Sequence, residues 1–450
     1  MPQQNEIPTI RGHWLTGVIK EFNADSLRFL EKATTYGDIV KLKFGPFNVH
    51  FINHPDLVHD VLVSNASRFH KSFVVKRSFK DVSGENLFTS DSEFWKRQRK
   101  LMQPAFHAKS IGAYADTMVD YALAEIENWS DNAEVDVDAA MTTVTMNIIT
   151  KTMFDTEVGD ETRAVGESFT RLLQIVNNRV GRIFDFPHWL PTSENREIHR
   201  LVDKLKAMIQ GFIDERRASR DDKGDLLAML LMAQDGDGSG MSDEQIINEM
   251  LTIFGAGHET TAYTLTFAWY ALAQNPTVLE KLQQEVDTVL GNRRATLADL
   301  PNLPYSEMVI KETLRLYPPA WGFTRNAIAA VKIGDYALPK GAAVMMSPWT
   351  MGRDARWYPQ PLDFNPERFS PENEATIPRY AFIPFGGGPR VCIGNQFAMM
   401  EARLILATIA QHYRFTLKPD FETEPIRAFT LRPSNGMKLI AHTREAIPVL

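Results

Sequence analysis

The chain has 450 residues, 44% of them hydrophobic and 23% charged, the proportions of a globular protein. With 49 basic against 56 acidic residues its net charge is −7. That excludes nucleic acid as the main partner, which calls for a basic excess or stripe. The single cysteine, Cys392, excludes an internal disulfide and points to a reducing compartment.

Taken in chain order, Met1 to Lys20 has no apolar leader, so no targeting segment or transmembrane anchor is expected and the chain reads as cytoplasmic. Strands are expected over Ile39–Phe44 and Val49–Ile52. From about Asp56 to Leu290 the pattern is helical almost throughout. Trp95-Lys-Arg-Gln-Arg99 puts a basic cluster on one of these helices, which taken alone is a solvated face. Asp185 to Pro191 carries aromatics between two helices, and Asp235 to Gly240 is a polar, glycine-rich loop. Ser242 and Gln245 form a capping box. The helix they open runs to Asn275-Pro276, about 32 residues and ~48 Å. It is apolar on nearly every face and so belongs inside. Its centre reads Gly255-Ala-Gly-His-Glu-Thr-Thr261. Two glycines there cost about 1 kcal/mol each, and tandem threonines can bend a helix. The segment is then either a packing kink or a place where a flat ligand and water approach the backbone. Tyr305 to Tyr317 is a further helix, stopped by Pro318-Pro319, with Glu312 and Arg315 on one face. Strands at Val331–Ile333, Ala343–Met346 and after Arg414 complete a mainly α chain with small β-sheets. No repeat or linker interrupts it. One domain over 1–450 is expected, helix-rich over about 56–320 and 390–412, and β-rich over about 37–55, 320–350 and the C-terminal strands.

The cysteine sits in Phe385-Gly-Gly-Gly-Pro-Arg-Val-Cys392-Ile-Gly394. A lone cysteine is ordinarily a small buried hydrophobe. Here three glycines and a proline make a close-approach loop whose N–H groups can face a sulfur, and Arg390 adds positive charge. A helix begins at Asn395, bringing its positive end. Such a thiolate is an axial ligand for haem iron or a nucleophile. No base lies in the loop, which favours the ligand.

Phe385, Gly388, Arg390, Cys392 and Gly394 match the motif Phe-x-x-Gly-x-Arg-x-Cys-x-Gly, and the chain resembles the cytochrome P450 family, haem-thiolate monooxygenases, in their soluble bacterial form. The family's other motifs follow in order along essentially the whole chain. The resemblance implies a P450 fold, with haem between the long helix and the helix after the cysteine. It implies Cys392 as the ligand of a haem b held non-covalently, since Ala256 stands where haem-tethering members carry glutamate. Phe385 would pack beside the sulfur. Arg390, Arg99 with Trp95, and Arg325 would bind the propionates. Thr260 and Glu259 would organise water and deliver protons, with Ala256 and Gly257 leaving room for O2. Glu312, Arg315 and Arg368 would form a buried network that supports the cysteine loop without touching substrate.

Phe88 resembles a residue that stands over the haem in this family. Further wall candidates are Phe73, Val74, Leu251, Phe254, Ala256, Trp321, Phe323 and Leu431, with Thr430. As a set they describe an apolar pocket for a lipophilic substrate, whether fatty acid, terpenoid, carotenoid or steroid. Phe184 to Pro191 would be its lid. The activity implied is insertion of one oxygen atom from O2 into a C–H bond. Electrons would come from NAD(P)H through a separate ferredoxin or flavodoxin and its reductase, docked beside Lys96, Arg97 and Lys100. A monomer is expected. An H2O2-driven peroxygenase is the alternative within enzymes, against which the intact Glu259-Thr260 pair argues, and a non-catalytic haem sensor is the alternative outside them.

Overall fold

The computed structural model describes residues 6–155, 166, 168–172, 174–175, 190–219 and 223–444. Most of the expected lid, Phe184 to Pro191, lies outside the described residues. The chain folds as two compact units. The first takes residues 1–73, 308–393 and 424–434, and the second 74–307, 394–423 and 435–450. Among the described residues, no helix is long and apolar enough to cross a membrane.

The first unit is built on a six-stranded sheet in the order Thr9–Ile10, Ile39–Phe44, Phe47–Ile52, Ala343–Met346, Phe323–Ala327, Phe69–Lys71. The hairpin Ile39–Phe44 and Phe47–Ile52 pairs Ile39 with Ile52 and Phe44 with Phe47. The second hairpin strand then runs parallel to Ala343–Met346, Phe51 opposite Met345. That pairing joins segments far apart in the sequence. Apolar clusters cover the sheet, one around Ile39, Ile52, Val344 and Met346, the other around Val40, Leu42, Phe51 and Phe22. The alternation of the strands decides which side chain joins which cluster. Of the cysteine loop, residues 385–393 group with this unit and Gly394 with the second.

The second unit is helical. Its long helix runs Asp243–Gln274, opened by the expected capping box: the Gln245 N–H donates to Ser242 Oγ at 3.3 Å and the Ser242 N–H to Gln245 Oε1 at 3.0 Å. Trp269 and Phe267 are fully buried along it. It packs against Val137–Phe154 and against Asn395–His412, the helix that follows the cysteine loop. Ala133–Asp136, read from the sequence as part of the helical middle, is a strand paired with Lys438–Thr443 in a three-stranded sheet.

Candidate active site

In the first unit, the cysteine loop is shaped by its glycines. Gly386 and Gly388 have φ of +71° and +64°, open to glycine and strained for other residues. A Cβ at Gly388 would lie 1.9 Å from the Leu62 carbonyl oxygen, so that backbone approach needs glycine. The Cys392 N–H closes the loop on the Phe385 carbonyl at 2.9 Å. Cys392 itself is exposed, unlike most cysteines. Phe385 and Arg390 are both half-buried. Arg325 is buried on the central sheet, donates to the Thr324 carbonyl at 2.9 Å and lies over the Phe323 ring. Trp321 and Phe323 are half-buried, Leu431 and Thr430 buried, and Phe73 is exposed.

The same unit holds the network of Glu312, Arg315 and Arg368. Arg315 places two donors on Glu312, at 2.6 and 2.7 Å, and the other three on the carbonyls of Gly352, Pro361 and Asp363. Glu312 also accepts from the Asn365 N–H at 2.8 Å and lies 3.4 Å from Arg368 Nε. The side chains of Glu312 and Arg315 are both 0% exposed. An exposed i, i+3 pair, the reading an isolated Glu-x-x-Arg deserves, is thereby ruled out.

In the second unit, the long helix has one open face. Ala256 is exposed among buried neighbours, and Thr260 lies one turn on, half-buried. Thr260 Oγ1 donates back to the Ala256 carbonyl at 2.8 Å, which leaves its lone pairs to accept from water. Glu259 is half-buried beside it. Of the two readings left open for the glycines, the contacts are those of packing. A Cβ at Gly255 would meet the Phe169 ring at 2.3 Å, and one at Gly257 would meet Ile149 Cδ1 at 2.8 Å. They serve packing on the flanks, and the open position is the alanine between them. Leu251 and Phe254, five and two residues before Ala256, turn to the far side of the helix. Both are buried, and Phe254 lies edge-on to Phe169 and tilted against His258. Val74 is exposed and Phe88 half-buried.

Trp95 and Arg99 are half-buried on the helix Ser92–Met102. Of the neighbouring basic residues, Arg97 is engaged by the glycine-rich loop: it pairs with Asp235 at 2.7 Å and donates to the Gly240 carbonyl at 2.9 Å. Lys96 and Lys100 are exposed.

Two buried carboxylates escaped the sequence reading because each sits in an otherwise ordinary helical pattern. Glu249 is fully buried and accepts from the Leu87 N–H with both oxygens, at 2.9 and 3.0 Å. Glu401 is buried on Asn395–His412, and among the described residues neither of its oxygens has a hydrogen-bond partner. Burial lifts both carboxyls to about 8; Leu87 opposes the shift at Glu249, and Thr261 at Glu401 without forming a well-shaped hydrogen bond.

These residues fit haem. Among the described residues no cluster of His, Cys, Asp or Glu completes a metal site. One exposed thiol on a rigid loop therefore suits a metal that brings its own equatorial ligands. A Cβ at Gly394, whose φ is −91°, would meet just the Phe106 ring, at an ordinary 3.9 Å, so its own packing does not demand glycine and room is left for a ligand.

Comparison with known proteins agrees. The cytochrome P450 family model matches residues 7–441. Cyclooctatin synthase of Streptomyces melanosporofaciens is 38% identical over 427 residues, covering 94% of this chain and 91% of that one. Pentalenene oxygenase of Streptomyces avermitilis is 32% identical over 417 residues, 92% of each. Cyclooctat-9-en-7-ol 5-monooxygenase of Streptomyces melanosporofaciens is 34% identical over 398 residues, 87% of this chain and 86% of that one. With its cysteine loop, its Glu-Arg-Arg network and nearly its full length accounted for, the chain belongs to the cytochrome P450 family of haem-thiolate monooxygenases.

Proposed function

We propose that this enzyme hydroxylates an unactivated C–H bond of a cyclic terpenoid, drawing electrons in the cytoplasm from a separate ferredoxin or flavodoxin and its reductase. Haem b, when bound, supplies the activation of O2. Cys392 holds it as thiolate, and Arg390, Arg99 with Trp95, and Arg325 offset the charge of its propionates, which would be costly to bury unpaired. The observation that carries the catalytic reading is the open face of the long helix. Thr260 Oγ1, anchored on the Ala256 carbonyl, accepts from and orients a water there. Glu259, next to it, is the group that takes protons up and passes them on through that water. Ala256 keeps the face apolar and close to the backbone.

The terpenoid assignment is supported by the relatives, three oxygenases whose names refer to cyclic terpenoids. Docking of the acidic redox protein is drawn onto the exposed Lys100 and Lys96, the latter in an exposed pair with Glu93, while Arg97 is tied to the glycine-rich loop through Asp235. Titration of the holoenzyme with cyclic terpenoid hydrocarbons and alcohols, and with fatty acids, tests the substrate class. Entry of a substrate displaces water from the iron, and the spin change shifts the Soret band. Saturable shifts with cyclic terpenoids, followed by hydroxylated product with O2 and a ferredoxin system, support the proposal. Shifts with fatty acids alone would overturn the substrate class, and turnover with H2O2 alone would favour a peroxygenase.

A further inference from the structure

Glu249, Ala256 and Thr260 are spaced by seven and four residues, so they lie along one stripe of the long helix. Glu249 stands roughly 10 Å from Ala256 along the axis. It is fully buried, and its carboxyl grips one backbone group, the Leu87 N–H. The next residue is Phe88. The turn that carries it is closed on itself by Asn86, whose Oδ1 accepts from the N–H groups of Phe88 at 2.8 Å and Thr89 at 3.0 Å. Asn86 Nδ2 in turn donates to the Ser83 carbonyl at 2.9 Å. The turn is thus a preformed piece that needs only to be fastened.

It is fastened to the long helix at two adjoining residues. Gly84, with φ of +59°, lies so close to Asn248 that a Cβ would come within 2.5 Å of its amide nitrogen. Glu249 supplies the polar fastening. Together they hold the turn against the long helix at Asn248 and Glu249, with the Phe88 ring set edge-on against Phe79 at 5.4 Å. A buried carboxylate is an expensive way to hold one amide unless the position of that amide matters. With its carboxyl lifted to about 8, Glu249 is mainly protonated at neutral pH and accepts without leaving a bare charge in the core.

We propose that Glu249 is a positioning residue for ligand selection: by holding the Leu87 N–H it sets the place of the Phe88 ring over the Ala256–Thr260 face, and so decides which ligands that face admits. The inference rests on haem being held before this face and not on the terpenoid assignment. To test it, haem-loaded wild type, Glu249→Leu, Glu249→Gln and Phe88→Ala are titrated with imidazole and with 4-phenylimidazole, read by the Soret shift of nitrogen ligation. Neither azole has to be oxidised, so a wrong substrate class leaves the readout intact. Loss of the hydrogen bond in Glu249→Leu should change the ratio of the two dissociation constants by about fivefold. Glu249→Gln, which keeps a carbonyl acceptor, should restore the ratio. In a Phe88→Ala background Glu249→Leu should change it no further, because the effect passes through that ring. A purely structural role would lower stability or haem content and leave the ratio alone. An unchanged ratio in haem-replete Glu249→Leu, or a change that persists without Phe88, overturns the proposal. Hydrogen exchange in the wild type decides independently of any variant: the Leu87 amide should be protected, and free exchange there overturns the clamp.

Discussion

Replacing Glu312 by alanine tests how the cysteine loop is supported. Arg315 offers five N–H donors, and the structure satisfies all of them: two on Glu312 and three on the carbonyls of Gly352, Pro361 and Asp363. Three carbonyls within a dozen residues of chain are therefore gathered on one guanidinium, and that guanidinium is held in place by one carboxylate. Alanine at 312 leaves Arg315 buried with its charge uncompensated and two donors empty. It also strips Arg368 of its counter-charge and the Asn365 N–H of its acceptor. Breaking a buried ion pair by deleting one partner costs ~3–5 kcal/mol, against a total stability of about 5–15 kcal/mol. The expected product is a protein that accumulates poorly and without haem, with a urea midpoint far below that of the wild type. Arg315→Lys should fall in the same direction, because a single ammonium cannot span a carboxylate and three carbonyls. Denaturation followed by far-UV circular dichroism, with haem quantified per chain, measures both. A haem-replete Glu312→Ala within about 1 kcal/mol of wild type would refute the reasoning and mean that the carbonyl contacts alone carry the guanidinium.

Cys392→His should lose the red-shifted Soret band of the reduced CO complex that thiolate ligation produces; a band that survives the substitution removes Cys392 as the ligand. Thr260→Ala should bind haem and substrate normally yet release more of its reducing equivalents as H2O2, measured as product formed per NAD(P)H oxidised. Unchanged coupling would return the tandem threonines to a packing role. For Glu401, burial raises the carboxyl from 4.5 to about 8 in the folded protein, so the native state keeps a proton that the unfolded chain releases. Its contribution to stability is complete below about pH 4.5 and is lost as pH rises to about 8. Glu401→Gln should therefore flatten the fall in urea midpoint between pH 5 and 8, Glu249 retaining its own share, and parallel curves for the two proteins would contradict the assignment.

The features that were legible in the sequence are local ones. The capping box of the long helix needs only Ser242 and Gln245, three residues apart, and the structure forms both of its hydrogen bonds. The cysteine loop announces itself through adjacent glycines whose φ angles are set within the loop. The strand Ala133–Asp136 was not legible: four residues with two carboxylates have no strand signal of their own and gain one from Lys438–Thr443, some three hundred residues on. Glu249 and Glu401 were missed for a related reason. A carboxylate in a helix reads as solvated until the partner that buries it is known, and for Glu249 that partner is a backbone amide in a distant turn.

The glycines of the long helix show how a motif can leave two duties open. Gly255 and Gly257 could serve packing or let a ligand approach, because glycine in a buried helix must be repaid by close contact with something. The contact exists, but its partners are protein. Gly255 and Gly257 lie about 100° to either side of Ala256 around the helix, and there Phe169 and Ile149 close in to distances that a single methyl group would forbid. The flanks are thereby sealed, and the stripe through Ala256 and Thr260 is left as the open face. On that face Ala256 is exposed and its methyl group is accommodated, whereas on the flanks a methyl group would not fit. The glycines therefore act on the flanks: they let Phe169 and Ile149 seat deeply on either side of the exposed Ala256.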